Sequence, residues 1–335
     1  MRTMWLAAGM AVWGLGLGAA TADTVTVKVA TFVPEKSVGV SKVIKPWMEA
    51  VQAEVGDKVR LQAFWGGTLG KSPFKQYELV KNGVADVTWV LPGYTAGQFP
   101  ELQIMELPFM AETALEASIA GWRLYERGLL TGLNDTHLIG FWASAPSIVF
   151  TREPMTGLGD LKNKRIRSVG AVHAAWLESI GAAPQTLSSS EMNEALNRGT
   201  LDGVIQGWTG MRTFKTMPLV ADSYNVPIGV IPFLLLMNKN TWETLPADAQ
   251  AAMAKHGGLA MAKAGGAAYD AISAEIEGKA RADGQPRLVP VADAARARYG
   301  KDAGQVHDWW IAKSKNGRNV FDAYAQALEE TRSGG

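Results

Sequence analysis

Strand-like and helix-like segments alternate along most of this chain, and a chain patterned that way has few folds open to it. Val25 to Phe32 (VTVKVATF) alternates residue by residue and is rich in Val and Thr, which predicts a strand. Lys36 to Val55 carries Val40, Val43, Ile44, Trp47, Met48 and Val51 at helical spacing, with Pro46 as a kink point. Val59 to Trp65 predicts a second strand and Phe74 to Asn82 a helix ended by Gly83. Ala85 to Leu91 is apolar enough for a strand buried on both faces. The pattern continues with a helix over Ala114–Leu130, strands over His137–Ala143, Ser147–Thr151 and Arg165–Ser168, and a helix over Ala171–Ile180. Ser188 and Glu191 have the spacing of a capping box, and strands are expected again at Leu201–Ile205 and Ile231–Asn238. Trp242–Ala282 reads as mostly helical and Ala-rich with a Gly-Gly break, and Ala303–Glu330 as helical. With 335 residues and short loops, this βαβ order points to two α/β lobes and not to a barrel. No Pro/Ser-rich tether divides the chain, so the lobes are expected to be joined by strands and helices that cross between them.

The N-terminus is patterned differently. Arg2 is followed by an apolar run from Met4 to Gly18, short for a bilayer span, and then by Ala20-Thr21-Ala22, a small-x-small cleavage signal. Residues 1–22 are therefore expected to be a cleaved signal peptide, which places the mature chain in a bacterial periplasm. Their removal takes away Arg2 and no acidic residue, leaving 32 cationic and 32 anionic side chains. A balance this even gives no reason to expect a nucleic-acid partner. The chain has no cysteine, which excludes disulfides, thiolate metal sites, a catalytic thiol and a lipid-anchor cysteine.

Catalytic chemistry is hard to find. His137, His173, His256 and His307 are never three or four residues apart, so no helix face gathers metal ligands. There is no phosphate-binding G-x-x-x-x-G-K-[ST], no G-x-S-x-G and no H-E-x-x-H. Neither a metal nor a cofactor is expected, and an exported α/β enzyme is the weaker alternative. Arg165-Ile166-Arg167 sits on a predicted strand, so its two arginines share a face. A guanidinium fork there fits a carboxylate, but two solvated arginines would read the same way. Trp208, among Gly207, Thr209 and Gly210 beyond a strand end, is placed for a loop facing a cleft.

Several segments, taken in order, resemble the extracytoplasmic solute-binding proteins of TRAP transporters, the DctP-type family. They are Gly66-Gly67-Thr68-Leu69-Gly70, Asn82-Gly83-Val84-Ala85-Asp86, Pro92-Gly93-Tyr94, Leu107-Pro108-Phe109, the run Asp160 to Arg167 (DLKNKRIR) and the run Ser190 to Gly203 (SEMNEALNRGTLDG). Asn238-Lys239, with Trp242, Leu245-Pro246 and Gln250, completes a set running from about Val25 to Gln250. The resemblance implies a two-lobed, periplasmic-binding-protein-like α/β fold with class II-type hinge strands and a long helix spanning both lobes. Lobe I would comprise 23–144 plus about 233–272, and lobe II 145–232 plus about 273–335 with the C-terminal helices. Such a protein is a monomer that closes on a small organic acid and passes it to a permease of small and large membrane subunits.

The resemblance also implies site residues. The arginine that clamps the ligand carboxylate falls on Arg167, leaving Arg165 structural or solvated. Offsets from the same segments place Phe32, Leu91 and Tyr94 on the first-lobe side and Ser189, Gln206 and Trp208 on the second, with His173 a further candidate. A second arginine common in the family falls at Ser147 and is absent here. Apolar Phe32 and Leu91, the missing guanidinium and the small Ser189 all favour an aromatic or apolar monocarboxylate, such as a benzoate, a phenylacetate or an aryl 2-oxo acid, with branched aliphatic 2-oxo acids next. A sugar acid would need many paired hydroxyls, and each unmade buried hydrogen bond costs about 1–3 kcal/mol.

Overall fold

The computed structural model describes residues 24–95 and 97–334; the expected signal peptide lies outside the described residues. The chain forms two sheets. Strands β1 (Val25–Ala30), β2 (Val59–Phe64), β3 (Val87–Val90) and β4 (Thr136–Ala143) build the first. Strands β5 (Ile148–Thr151), β6 (Arg165–Ser168), β7 (Ala183–Thr186), β8 (Gly203–Gln206) and β9 (Asp222–Tyr224) build the second. Strand β10 (Pro232–Asn238) then returns to the first sheet and β11 (Arg287–Val289) to the second. The orders are β2-β1-β3-β10-β4 and β11-β9-β5-β8-β6-β7. In the first sheet β1 is parallel to β2 and β3, and β10 runs antiparallel between β3 and β4. In the second, β6 is parallel to both β7 and β8 while β5 is antiparallel to β8 and β9. Two lobes of α/β class result, as the alternation predicts.

The chain passes between lobes at Ser144–Ser147 and again at Asn225–Ile231, and these crossings are hydrogen-bonded to each other. Ser147 N–H donates to Gly229 O at 2.8 Å, Ile228 N–H to Ser147 O at 2.8 Å and Ser144 N–H to Ile231 O at 2.9 Å. A third crossing is the helix Gly258–Asp283, which packs on β4 and the helix Ala114–Glu126 in the first lobe and on the helix Trp208–Thr213 and β11 in the second. Asp270 fixes it to the first lobe, accepting from Ala114 N–H at 2.7 Å and Leu115 N–H at 2.9 Å. The last two helices divide: Asp293–Lys313 packs on Ala171–Ser179 of the second lobe, while Gly317–Arg332 lies along Ala114–Glu126 of the first. The last helix thus departs from the expected second-lobe segment of about 273–335, drawn to the first lobe by its packing on Ala114–Glu126 and by Arg332 bonding Glu116.

Local chemistry explains the departures from the expected elements. The helix after β1 is π-wound over Gly39–Ile44 and α-wound over Lys45–Val55. Pro46 sits at that junction, where an α-turn would set its ring against the carbonyl four residues back. Of the two Gly-Gly pairs within Trp242–Ala282, Gly257-Gly258 breaks the helix and Gly265-Gly266 does not. The second pair is there for contact: a Cβ on Gly265 would lie 2.7 Å from Trp142 Cβ, and one on Gly266 would lie 2.6 Å from Leu115 Cα. Ser188 and Glu191 meet but form no capping box, because the Glu191 carboxylate accepts both the N–H and the hydroxyl of Ser188 and the helix begins only at Met192. Among the described residues no helix is long and apolar enough to cross a membrane.

Gly229 lies where the returning crossing meets the first lobe. Its φ is +69°, and a Cβ there would stand 2.2 Å from the carbonyl oxygen of Glu106. Gly229→Ala is expected to lose at least about 2 kcal/mol, from left-handed backbone strain plus overpacking. Urea denaturation checks this; a variant as stable as wild type would mean that the hinge backbone relaxes freely.

Candidate functional site

The C-terminal ends of parallel strands in both sheets face one another across the hinge, the place where open α/β sheets leave a crevice. Phe32, Val33 and Ser37 follow β1; Leu91 and Tyr94 follow β3, which itself supplies Trp89; Val169 follows β6 and Gln206 ends β8. Together with Ser189, Thr209, Thr213, Phe214, hinge residues Ser144 and Ile231, Phe233 of β10, and Tyr269 of the crossing helix, they enclose a cavity between the lobes. Its free volume is about 50 Å³, room for a few waters, so the lobes are drawn together. No charged side chain lines it among the described residues.

The two halves of the wall differ. The first lobe and the hinge give aromatic surface: Trp89 stands 5.1 Å from Phe233 edge to face and 6.2 Å from Phe32, and Phe233 is 5.4 Å from Tyr269. The second lobe gives small polar groups, Ser189, Gln206 and Thr209. Gly210 makes room there, since a Cβ on it would lie 2.6 Å from the Gln206 amide carbon.

Arg167 stands behind this polar half, fully buried. Its Nε donates to Leu187 O at 2.9 Å and its Nη1 to Ile205 O at 3.0 Å. Its Nη2 donates to Tyr94 Oη at 2.9 Å and to Ser189 Oγ at 3.3 Å. Tyr94 and Ser189 both line the cavity, and their hydroxyls lie 2.9 Å apart. Tyr94 thus carries the first lobe across to the second, and no carboxylate comes within ion-pair distance of Arg167 among the described residues. Arg165, two residues earlier on the same strand face, reaches solvent and is forked onto Asp202 at 2.8 and 3.0 Å.

Of the sequence-derived candidates, the structure gathers Phe32, Leu91, Tyr94, Ser189 and Gln206 around the cavity and sets Arg167 directly behind two of them. Three lie elsewhere. Trp208 is buried in the second-lobe core, edge-on to Phe150 at 4.9 Å. The short helix Trp208–Thr213 turns Thr209, Gly210 and Thr213 to the cavity and Trp208 and Met211 to the core, so the first helical residue faces away from the cleft. Ser147 is buried in the hinge, held by its backbone bonds. His173 is buried in the first turn of Ala171–Ser179, its pKa lowered to about 3 by burial and by Arg167 against a smaller pull from the Ile228 backbone.

The sequence reading missed Trp89, Ser37, Phe233 and Tyr269, which lie on elements it assigned, and Glu106. That carboxyl is buried with neither oxygen hydrogen-bonded among the described residues, and burial raises its pKa to about 8 against the opposing influence of Arg167. It fills a gap between the lobes that Gly93 keeps open, since a Cβ there would lie 2.8 Å from Oε1, and Gly170 of the second lobe lies on its other side. The only sequence signal was a lone acid within the apolar run Leu102 to Phe109 (LQIMELPF).

The cavity thus lies at facing strand ends, between two lobes joined by the hydrogen-bonded hinge crossings. The chain belongs to the bacterial extracellular solute-binding protein family 7 (DctP), whose model matches residues 29–285. It is similar to a TRAP solute-binding protein from Rhodoferax ferrireducens T118 in complex with copurified benzoate, at 25% identity and a TM-score of 0.86, covering 93% of this chain and 100% of that one. It is similar to a marine metagenome TRAP solute-binding protein specific for aromatic acid ligands, in complex with 3-hydroxybenzoate, at 26% identity and a TM-score of 0.87, covering 92% and 98%. Among curated proteins it is 25% identical over 296 residues to the outer membrane transporter protein TsaT of Comamonas testosteroni, covering 85% of this chain and 86% of that one. The family and these structural neighbours are substrate-binding proteins of transporters, not enzymes.

Glu106 yields a prediction with a definite sign. Its pKa in the fold, about 8, lies above its ordinary value of 4.5. Folding therefore takes up a proton between these values, and the stability this gives is lost as pH rises through that window. Glu106→Gln should gain on wild type from about pH 5 to about pH 8 in urea midpoints. A difference that stays constant with pH would show that Glu106 does not titrate there.

Proposed function

We propose that this chain is the periplasmic receptor of a TRAP transporter for an organic monocarboxylate with an aromatic or apolar body. Residues 1–22 direct its export, and it hands the acid to a permease of small and large membrane subunits. The observation that carries this reading is one buried guanidinium without an ion pair, set at the polar end of a cavity whose other walls are aromatic. A carboxylate supplies the missing charge, and its planar oxygens suit the guanidinium fork. In this reading a carboxylate oxygen takes the place that the Tyr94 hydroxyl holds at Nη2. Gln206, Ser189 and Thr209 offer the polar contacts beside it, and the ring packs among Phe32, Trp89, Leu91 and Phe233. Burying a ring gains about 25 cal/mol per Å² of apolar surface. A ligand touching both lobes favours their closed arrangement, which is the state a permease would read. The small free volume supports branched aliphatic 2-oxo acids as the second reading.

Mass spectrometry of small molecules released from the purified protein, followed by calorimetric titration with benzoate, phenylacetate and a branched 2-oxo acid, tests the proposal. Arg167→Ala is expected to weaken binding by at least about 3 kcal/mol, because the ligand charge is then buried unpaired. Since Arg167 also satisfies two backbone carbonyls, Arg167→Lys is the companion variant, keeping the charge while losing the fork. Binding of the best acid within a few-fold of wild type in both variants would remove Arg167 from the clamp. Stabilisation by sugar acids or dicarboxylates alone would overturn the apolar pocket and leave the receptor reading standing.

A further inference from the structure

Two polar groups in the aromatic half of the cavity have no partner. Ser37 and Trp89 line the cavity, and the Ser37 hydroxyl and the Trp89 indole N–H are buried and make no hydrogen bond among the described residues. Both are held firmly. Ser37 N–H donates to Pro34 O at 3.0 Å, and its carbonyl accepts the N–H and hydroxyl of Ser41, each at 2.9 Å. Trp89 is wedged among Phe32, Trp142 and Phe233. The segment after Ser37 is pressed against the same indole, for a Cβ on Gly39 would lie 2.4 Å from Trp89 Cη2. Buried polar atoms are usually paired; the indoles of Trp142, Trp176 and Trp310 are unpaired too, but Ser37 and Trp89 are set apart by sharing one wall of the cavity, where a ligand can supply the partner.

We propose that Ser37 and Trp89 form a second polar subsite, on the lobe opposite Arg167, that binds a hydroxyl on the ligand's ring. This deepens the function proposed above and rests on it: the ligand class becomes a hydroxylated aryl monocarboxylate. The indole N–H only donates, whereas the serine hydroxyl donates or accepts. A phenolic hydroxyl accepts from Trp89 and donates to Ser37, so it satisfies both. A halogen or methyl group would leave both orphaned. A second carboxylate would bring a charge to a wall that has no cation. A site with buried polar groups discriminates strongly against the analogue that lacks the matching group.

The test is calorimetric titration with matched pairs: benzoate against 3- and 4-hydroxybenzoate, and phenylacetate against 3- and 4-hydroxyphenylacetate. At least one hydroxylated acid should bind about tenfold tighter than its parent. In Ser37→Ala that ratio should fall to about threefold or less, and Trp89→Phe should lower it as well. Parents that bind as tightly as every hydroxylated acid would overturn the subsite and leave the aromatic-acid reading intact. So would a hydroxyl preference that survives Ser37→Ala. If neither parents nor hydroxylated acids bind, the aromatic-acid reading fails and the subsite falls with it.

Discussion

The buried charge of Arg167 is the constraint around which the two lobes are arranged. Every hydrogen-bond partner of its guanidinium is neutral: two backbone carbonyls, a tyrosine hydroxyl and a serine hydroxyl. A cation held that way is solvated by dipoles alone, and an ion without a counter-charge is costly to bury. Burial keeps the nearby Glu106 largely protonated near neutral pH, so it does not cancel the charge. His173 stays neutral for the same reason, with Arg167 itself adding to the effect. Among the described residues, the surroundings thus leave one positive charge without a counter-charge at the seam between the lobes.

Much of the fold was legible because it follows from patterns only a few residues long. Alternation marked β1, continuous apolar runs marked β3 and β10, and Arg165–Ser168 is a strand as expected. The short strands β7 (APQT), β9 (DSY) and β11 (RLV) were not legible. Three or four residues carry no usable period, and these exist because a neighbouring strand offers its edge. Capping shows the same limit. Thr113 and Glu116 form a full reciprocal box, while Ser188 and Glu191, with the same spacing, do not. What separates them is where each helix begins, which tertiary packing decides.

The site was legible where it depends on strand ends and hidden where it depends on which way a side chain turns. Phe32, Leu91, Tyr94, Ser189 and Gln206 could be placed by their offset from strands and from family segments, and they meet at the cavity. The tryptophan at the cavity is Trp89, inside a strand that reads as plain core, not Trp208 in the glycine-rich turn. One residue of helical rotation puts Trp208 on the core side and Thr209 on the cavity side. Nothing in the order of residues distinguishes those two faces, because both carry small or apolar neighbours.

The anchoring of Arg167 through main-chain carbonyls has a further consequence. Leu187 and Ile205 hold the guanidinium by atoms that every residue type possesses. Those two bonds therefore do not depend on which side chains the positions carry, although Ile205 is itself packed in the core. The cavity walls, by contrast, are built from side chains on separate loops, the hinge and one crossing helix. Charge and shape at the seam thus rest on different parts of the chain, the guanidinium on main-chain atoms and the cavity wall on side chains. A substitution in the wall can reshape the cavity while both main-chain bonds to Arg167 stay in place.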